Sequence, residues 1–253
     1  MNLEKCVLLS KIEFGSTYQG TSDEHSDRDY MSLVVQPLSD TIFRNSEKSS
    51  KHTEESRYYA VERFINLILK SGFDNVLNLC AQLEQAKNTR FNKEVLDLFY
   101  DDFIFLTYVR ANFKTLAYSV MGNINSILKK QELTGKDLVK FYTFYNHLNY
   151  YNELLDDLDN LQVSYKDFAK VKYMPVDVLA NKRSNVSIEK RDDLVNKVEP
   201  VISEVKEKLK ENEFSMRHYK IAMDLVEESL KDRTVEFLTK EYNGRGLNKW
   251  KIL

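Results

Sequence analysis

A short polar segment near the N-terminus carries the residues best suited to chemistry. It begins with Gly15-Ser16 and ends with Asp27-Arg28-Asp29. Residues i and i+2 of a β-strand project from the same face, so a strand beginning here would direct the carboxylates of Asp27 and Asp29 at one point. Two like charges held close together are unfavourable unless a cation neutralises them, and oxygen ligands of this kind suit Mg²⁺. The pattern predicts a magnesium site.

The small residues of this segment suit the phosphates that a magnesium ion would accompany. A glycine at position 15 lets backbone N–H groups come close to an anion, and the Ser16 hydroxyl adds a donor. Gly20 and Thr21 follow in the same segment. Ser26 stands directly before the first aspartate, and we expect it to order the loop rather than to act as a nucleophile, because no His/Asp partner pattern accompanies it.

The elements around this segment must bring its two ends together. Cys6–Phe14 and Tyr30–Val35 are short apolar runs, and both predict strands. Residues 15–28 between them are small and polar and predict one long loop. After an exposed loop over residues 40–52, a third strand is expected at Thr53–Tyr58. The two strands that flank the polar segment would then hold its ends at one edge of a sheet.

The rest of the chain has the composition and spacing of long helices. The 253 residues include only seven glycines and three prolines, which excludes collagen-like, linker-like and all-β sandwich chains. Apolar residues recur at helical spacing over 61–72 and again from about residue 92. Pro200 is expected in the first turn of a helix, where proline is tolerated. We predict an α+β protein: a small mixed-sheet domain, residues 1–88, followed by a larger all-helical domain, residues 89–253.

Charge and cysteine content restrict the partners and the compartment. The 37 Lys and Arg residues against 39 Asp and Glu give a net charge of −2, so no overall charge attracts nucleic acid or an anionic membrane. The stretch 164–191 is an exception with seven basic residues against three acidic ones. It could contact phosphates, although a solvated face is favoured. Cys6 and Cys80 offer neither a disulfide framework nor a zinc spacing. Without an apolar window of membrane-spanning length, the expected location is the cytoplasm.

The polar segment and its flanking strands resemble the DNA polymerase beta-like nucleotidyltransferase superfamily. The pattern Gly15-Ser16-(x3)-Gly20-Thr21-(x4)-Ser26-Asp27-x-Asp29-Tyr30 is similar to the predicted nucleotidyltransferases of phages and of bacterial RNA-repair gene clusters. The resemblance is specific over residues 5–37 and looser to about residue 125. It implies that residues 1–88 are a nucleotidyltransferase catalytic domain, located in the host cytoplasm if a phage encodes the chain.

The resemblance also implies a reaction and a set of site residues. A nucleoside monophosphate would pass from a nucleoside triphosphate, with ATP the expected donor, to an acceptor hydroxyl with the help of two Mg²⁺ ions. An RNA 3′ end, for example of a tRNA-like molecule, is the expected acceptor. Asp27, Asp29 and a third acid would bind the metals; counting back from Phe64 favours Glu55 as that acid, and the adjacent Glu54 is the alternative. The implied nucleotide-binding residues are Gly15, Ser16, Gly20, Thr21, Ser26 and Arg28.

Departures from the family pattern keep other functions open. Arg28 occupies a position that is usually apolar, so it either points away from the metals towards a phosphate or marks a site that has drifted. Lys140 and His147 are candidates on a downstream helix, but Tyr150 stands where the family carries an arginine. The aromatic run over 141–151 could stack bases, although a core role is favoured. The alternative functions are a nucleotide-binding module without turnover and an antitoxin-type enzyme that adenylylates a partner protein.

Overall fold

The computed structural model describes residues 1–38, 50–52, 56–170 and 173–244. Within them a small mixed sheet occupies the N-terminal part, and helices make up most of the chain after residue 60. The predicted α+β class, with a larger helical part following the sheet, is confirmed. Over these ranges, no helix combines the length and the apolar character needed to cross a bilayer.

Four strands form the sheet: β1 (Val7–Phe14), β2 (Asp29–Val35), β3 (Ser50–His52) and β4 (Ser56–Ala60). Their order across the sheet is β1-β2-β4-β3. The β2–β4 pair is parallel, whereas β1–β2 and β3–β4 are antiparallel. β1 and β2 agree with the predicted strands to within a residue at their ends. Of the third predicted strand, residues 53–55 lie outside the described residues and the remainder falls in β4.

Strand β2 is central because both of its faces are covered. All residues from Met31 to Val35 are buried, and a strand buried on both faces appears in sequence as a continuous apolar run. That run predicted the strand. Its first residue, Asp29, is half-buried where the strand begins.

The segment expected as one loop over residues 15–28 contains a helix, so that prediction is wrong in part. Helix α1 (Gly15–Gln19) follows β1 directly and ends at Gly20, which has φ 77° and ψ 22°. Glycine adopts this left-handed conformation without a Cβ penalty and commonly ends a helix. The glycine that indicated a turn therefore terminates a helix.

The predicted exposed loop over 40–52 is also wrong at its end. Ser50–His52 form β3 and pair with β4, with residue 52 opposite Arg57. Residues 39–49 lie outside the described residues. A short polar strand can pair along the edge of a sheet because only one side of it needs a partner, and local polarity does not reveal such a partner.

Helices follow the sheet to the end of the described chain. They are α2 (Val61–Leu69), α3 (Phe73–Gln85), α4 (Asp102–Leu128), α5 (Gly135–Leu155), α6 (Tyr165–Phe168), α7 (Val176–Ala180), α8 (Arg191–Glu211) and α9 (Glu213–Gly244). Side chains fix several starts: Asp101 accepts two backbone N–H groups at the start of α4, and Thr134 and Asp137 form a capping box at α5. Such caps satisfy donors that the first helical turn leaves unpaired.

Pro200 lies well inside α8 rather than in its first turn, so that prediction is wrong. Upstream of the proline, Leu194 and Val198 are buried, and downstream Val205 and Leu209 are buried as well. The apolar stripe therefore begins before the proline. Packing of these side chains holds the helix together through a residue that disfavours it.

One continuous cluster of buried apolar side chains runs through the sheet and the helices. Helices α4 and α9 lie antiparallel, because Lys114 pairs with Glu213 at 3.5 Å while Arg110 lies over the ring of Tyr219 at 5.0 Å. The predicted division at residue 88 falls in a turn between two helical segments, and this common core includes residues on both sides of it. A domain boundary at that point stays a prediction.

Candidate functional site

The backbone of Gly15 and the carboxylate of Asp29 lie against each other. Phe14 is paired with Asp29 in the antiparallel register of β1 and β2, so the chain leaves β1 beside the first residue of β2. Gly15 has φ +67°, and a Cβ there would stand 2.7 Å from Asp29 Oδ2. A side chain at position 15 would therefore strain the backbone and collide with the carboxylate. The Gly-Ser turn and the second aspartate are brought together.

Gly20 closes the same turn at its other end. Its N–H donates to the carbonyl of Thr17 at 3.3 Å, and the N–H of Thr21 donates to the carbonyl of Ser16 at 2.9 Å. A Cβ on Gly20 would meet no heavy atom within 4 Å. Only the φ of +77° favours glycine at this position, whereas position 15 also lacks space. Thr21 is buried and Ser16 half-buried.

The two aspartates differ in exposure, and neither forms an ion pair with a described residue. Asp27 is exposed in the loop, and Asp29 is half-buried. The basic side chains of this region form ion pairs with Asp23 and Glu13, and over the described ranges none is paired with Asp27 or Asp29. Two oxygen-only ligands are left available to a cation, and Mg²⁺ prefers such ligands.

Arg28 is directed away from Asp29. Its Nη1 lies 3.7 Å from Glu13 Oε1, and both side chains are exposed to solvent. Glu13 neighbours Phe14 on β1, and adjacent strand residues point to opposite faces, so Glu13 and Arg28 lie on the face opposite the one that Asp29 shares with Phe14. An exposed pair of this kind contributes little to stability, which leaves the guanidinium able to exchange partners.

Glu54 and Glu55 lie outside the described residues. The strand residue that follows them is Ser56, which is paired in parallel with Tyr30, the residue after Asp29. The described part of the chain contains no group of three or more His, Cys, Asp or Glu side chains placed to hold a metal. Glu55 is not among the described residues, so a group that includes it stays open. The third metal ligand stays a prediction.

Asp23 organises the loop that leads to the aspartates. Its Oδ1 accepts the N–H of His25 at 3.1 Å and the hydroxyl of Ser26 at 2.8 Å, and its own N–H donates to Ser26 Oγ at 2.9 Å. The Ser26 hydroxyl is the main reason that the pKa of Asp23 falls to about 2, with Lys182 and the His25 N–H adding to the effect. Asp23 is therefore a charged residue to which both His25 and Ser26 are bonded, and Ser26 orders the loop.

Two basic residues from the helical part of the chain hold this loop from outside. Lys182 Nζ donates to Ser26 Oγ at 2.8 Å and to the carbonyl of Thr21 at 3.1 Å. Arg183 Nη2 donates to the carbonyl of His25 at 2.6 Å. The side chain of Lys182 is only 14% exposed, so these bonds are shielded from water. The contacts were not anticipated from sequence.

A third residue of the basic stretch supports helix α1. Lys170 Nζ lies 4.0 Å from the ring centre of Tyr18, 3.3 Å from its carbonyl oxygen and 3.3 Å from Glu84 Oε2. The buried Tyr18 hydroxyl donates to the same Glu84 oxygen at 3.1 Å, and burial raises the pKa of Tyr18 well above its usual range. The stretch 164–191, expected mainly as a solvated face, therefore contacts the candidate site at Lys170, Lys182 and Arg183.

Further charges lie near the sheet face that carries Asp29. The guanidinium of Arg57 on β4 lies 5.6 Å from the ring centre of Phe14, which is paired with Asp29. Desolvation by the surrounding protein raises the pKa of Asp74, and the positive charges of Arg57 and Lys140 oppose that rise. Asp74 is nevertheless exposed in the first turn of α3. Lys140, a candidate from sequence, is thus one of two cations that act on this carboxyl.

The aromatic run on α5 belongs to the core. Phe141, Tyr142 and Tyr151 are buried, and the other aromatic rings of the run pack against the core cluster. His147 is buried against the ring of Phe73, with 4.7 Å between ring centres. Burial lowers the pKa of His147 to about 4, so it is neutral at pH 7. The favoured core interpretation of the run agrees with this packing.

Comparison with protein-family models, with curated proteins and with solved structures found no significant match. The geometry brings Gly15 and Asp29 together, with Ser16 next to Gly15 in the chain and Asp27 in the adjoining loop. It adds Asp23, Lys182 and Arg183, which sequence reasoning missed. Asp23 could have been found from its Asp-x-x-Ser spacing to Ser26, a local pattern that favours turns. No local signal connects Lys182 with a loop 156 positions away.

Proposed function

We propose that this protein is a nucleotidyltransferase that moves a nucleoside monophosphate from a nucleoside triphosphate to an acceptor hydroxyl. The observation that carries the proposal is the close approach of Gly15 to Asp29, in which a Cβ would stand 2.7 Å from the carboxylate. A backbone turn that can approach phosphates thereby lies beside a carboxylate that can hold their metal ion.

The donor chemistry of Asp27 and Asp29 fits magnesium. Both are oxygen-only ligands, and in the described ranges no basic side chain neutralises either of them. Two Mg²⁺ ions, when bound, would offset negative charge on the attacking and leaving oxygens. We assign Glu55 as the third ligand because it directly precedes Ser56, which is paired with the neighbour of Asp29.

We assign the turn before the aspartates to the triphosphate. Gly15 and Ser16 would contact the β- and γ-phosphates, since both lie at the start of α1 beside the second aspartate. Gly20, Thr21 and Ser26 would shape the loop, because the N–H of Thr21 and the hydroxyl of Ser26 are already bonded within it. The nucleotide would thus be gripped at one end of a prearranged loop.

The proposed reaction is an in-line substitution at the α-phosphorus. The acceptor oxygen forms a bond to that phosphorus while the bond to the oxygen of the departing pyrophosphate breaks. The electron pair leaves with pyrophosphate, and the hydroxyl proton passes to a carboxylate, which we assign to Glu55. Asp27 and Asp29 would hold the triphosphate in the geometry that this attack requires.

The proposed acceptor is an RNA 3′ end, on the strength of the resemblance to the nucleotidyltransferases of RNA-repair gene clusters. The net charge of −2 supplies no overall attraction for RNA. Lys170, Lys182 and Arg183 contact the loop and α1, so this part of the basic stretch is engaged within the protein. An RNA acceptor would therefore be held chiefly near its reacting end.

The second candidate is a module that binds a nucleotide without turning it over. The presence of Arg28 favours it, because the residue between the two aspartates is usually apolar in the family that the chain resembles. A further candidate is an antitoxin-type enzyme that adenylylates a partner protein, which would use the same site with a protein hydroxyl as acceptor. The two candidates share the nucleotide site, but only the antitoxin-type enzyme transfers the nucleoside monophosphate.

The test follows the transferred phosphate. The protein is incubated with each α-³²P-labelled nucleoside triphosphate, Mg²⁺ and total cell extract, and label is measured in RNA, protein and small molecules. We expect label in RNA and release of pyrophosphate. The double variant Asp27→Asn/Asp29→Asn should lower the rate on the order of 10²–10⁴-fold, as removal of positioned catalytic groups does elsewhere.

The matched control is Glu24→Gln, which removes an acid of the same loop whose side chain is 86% exposed and should leave the rate unchanged. Label in protein would identify the adenylylating alternative. Calorimetric binding of nucleotide without pyrophosphate release would identify the silent module. Transfer at the unaltered rate by the double variant would show that the site is assigned wrongly.

A further inference from the structure

The turn that carries Lys182 and Arg183 is locked against helix α5. A Cβ on Gly135, the first residue of α5, would stand 1.8 Å from the carbonyl oxygen of Asn181, so the turn packs directly onto the helix backbone. The N–H of Gly135 also donates to the carbonyl of Ser184 at 2.9 Å. Because the turn is fixed in this way, Lys182 projects from a rigid base.

Lys182 spans the gap between this base and the loop before Asp27. Its ammonium group donates to Ser26 Oγ and the carbonyl of Thr21, and Asp23 Oδ2 lies 3.8 Å away. The two hydrogen-bond acceptors and the Asp23 carboxylate all belong to one loop of six residues, 21–26. The largely buried lysine therefore ties both ends of this loop to the helical part of the chain.

We propose that Lys182 is a positioning residue that holds the loop 21–26, and through it Asp27, in place for metal and nucleotide binding. The inference rests on the proposed function for its catalytic consequence, whereas the hold on the loop stands on the contacts alone. Ser26 is the last link, because it bonds to Lys182 and directly precedes Asp27. The helical part thereby completes the site of the sheet without contributing a catalytic residue.

A lysine suits this task because its positive charge complements the negative charge of Asp23 in the loop. Asp23 remains ionised while it accepts bonds from Ser26 and His25, and hydrogen bonds to charged groups are stronger than neutral ones. Arg183 adds a contact from the rim, but its side chain is 61% exposed. Lys182 is shielded and should therefore supply most of the restraint.

Hydrogen exchange tests the hold on the loop without requiring any activity. The amides of Asp23, His25 and Ser26 are bonded within the loop and report on its opening. In Lys182→Met these amides should exchange on the order of ten- to a hundredfold faster, because charge-assisted bonds that oppose opening are lost. The exchange rates of amides in the middle of α4 should be unchanged, and this result would show that the variant is folded.

Three further variants sharpen the comparison. Lys182→Arg should restore most of the protection, since it keeps the charge and the donors. Lys190→Met removes an exposed lysine of the same basic stretch and should alter nothing in the loop. Gly135→Ala displaces the turn while it leaves Lys182 intact, and it should loosen the loop in the same way. Loop amides of Lys182→Met that exchange as in the unaltered protein would overturn the hold.

Mg²⁺–ATP titrations of the same variants test the consequence for the site. Lys182→Met should require on the order of tenfold more Mg²⁺ for half-maximal transfer, because a mobile Asp27 is ordered only when metal binds. Lys182→Arg should restore the Mg²⁺ requirement of the unaltered protein. A loosened loop with an unchanged Mg²⁺ requirement would overturn the positioning role. Absence of label transfer by the unaltered protein would contradict the proposed function. The hydrogen-exchange result would still decide whether Lys182 holds the loop.

Discussion

At the scale of single residues, Gly15 and Gly20 share a left-handed backbone but differ in what surrounds them. Replacing either with alanine should lower the free energy of unfolding by about 1–2 kcal/mol, since a Cβ is unfavourable at positive φ. Only Gly15→Ala also collides with the carboxylate of Asp29, at 2.7 Å. We therefore expect Gly15→Ala to abolish Mg²⁺-dependent nucleotide binding, measured by calorimetry, while Gly20→Ala retains it.

Gly20→Ala is the matched control because it carries the same backbone strain into open space. Urea denaturation of both variants measures that strain and separates it from the loss of binding. Equal nucleotide affinities in the two variants would contradict the role assigned to the contact between Gly15 and Asp29.

The same residues show how far the site could be predicted from sequence. Gly15 was identified because a glycine there lets backbone N–H groups come close to an anion. The structure adds a second reason for glycine, since a Cβ would collide with Asp29. Lys182 could not be identified, since its partners are distant along the chain. Spacing reveals residues that share one local element, whereas contacts between distant segments depend on packing that a single sequence does not display.

At the scale of elements, prediction succeeded where burial imposes a pattern. β2 was found from its continuous apolar run, and the helices after residue 92 from apolar spacing. It failed at α1, which is five residues long, and at β3, whose pairing with β4 is a tertiary contact. Short polar elements carry no apolar period, so their structure is decided by caps and neighbours instead.

Pro200 provides a prediction at this scale. It interrupts the hydrogen bonding of α8 and is exposed, and proline in a helix interior is about 3 kcal/mol less favourable than alanine. Part of that gain is offset because alanine also frees the unfolded chain. Pro200→Ala should therefore raise the free energy of unfolding by up to about 2 kcal/mol, measured by urea denaturation.

Glu199→Ala is the control, because the neighbouring exposed residue lacks the proline ring, and its effect should stay within about 0.5 kcal/mol. A Pro200→Ala variant that is no more stable than the unaltered protein would mean that α8 accommodates the proline ring without a net cost in free energy.

At the scale of the whole molecule, residues 1–88 share contacts with the helices that follow the predicted division. The buried Tyr108 hydroxyl donates to the carbonyl of Ile68 at 2.6 Å, and Gln82 Nε2 donates to Asn92 Oδ1 at 2.8 Å. Such buried bonds leave unsatisfied groups when one side is removed. We therefore expect residues 1–88 to depend on the later helices for their folded state as well as for the contact with Lys182.

This dependence predicts a single cooperative unfolding transition. Residues 1–88 produced alone should show little of the circular dichroism expected from the strands and helices they form in the full chain, because their buried apolar side chains lose the partners that cover them. In the full chain, hydrogen exchange of β2 and of α8 should report the same opening free energy in urea. Tyr108→Phe, which removes one shared bond, should lower both values together by about 1–2 kcal/mol. Separate transitions, or a fragment that folds alone, would instead establish residue 88 as a true domain boundary and confine the coupling between the two parts to the loop held by Lys182.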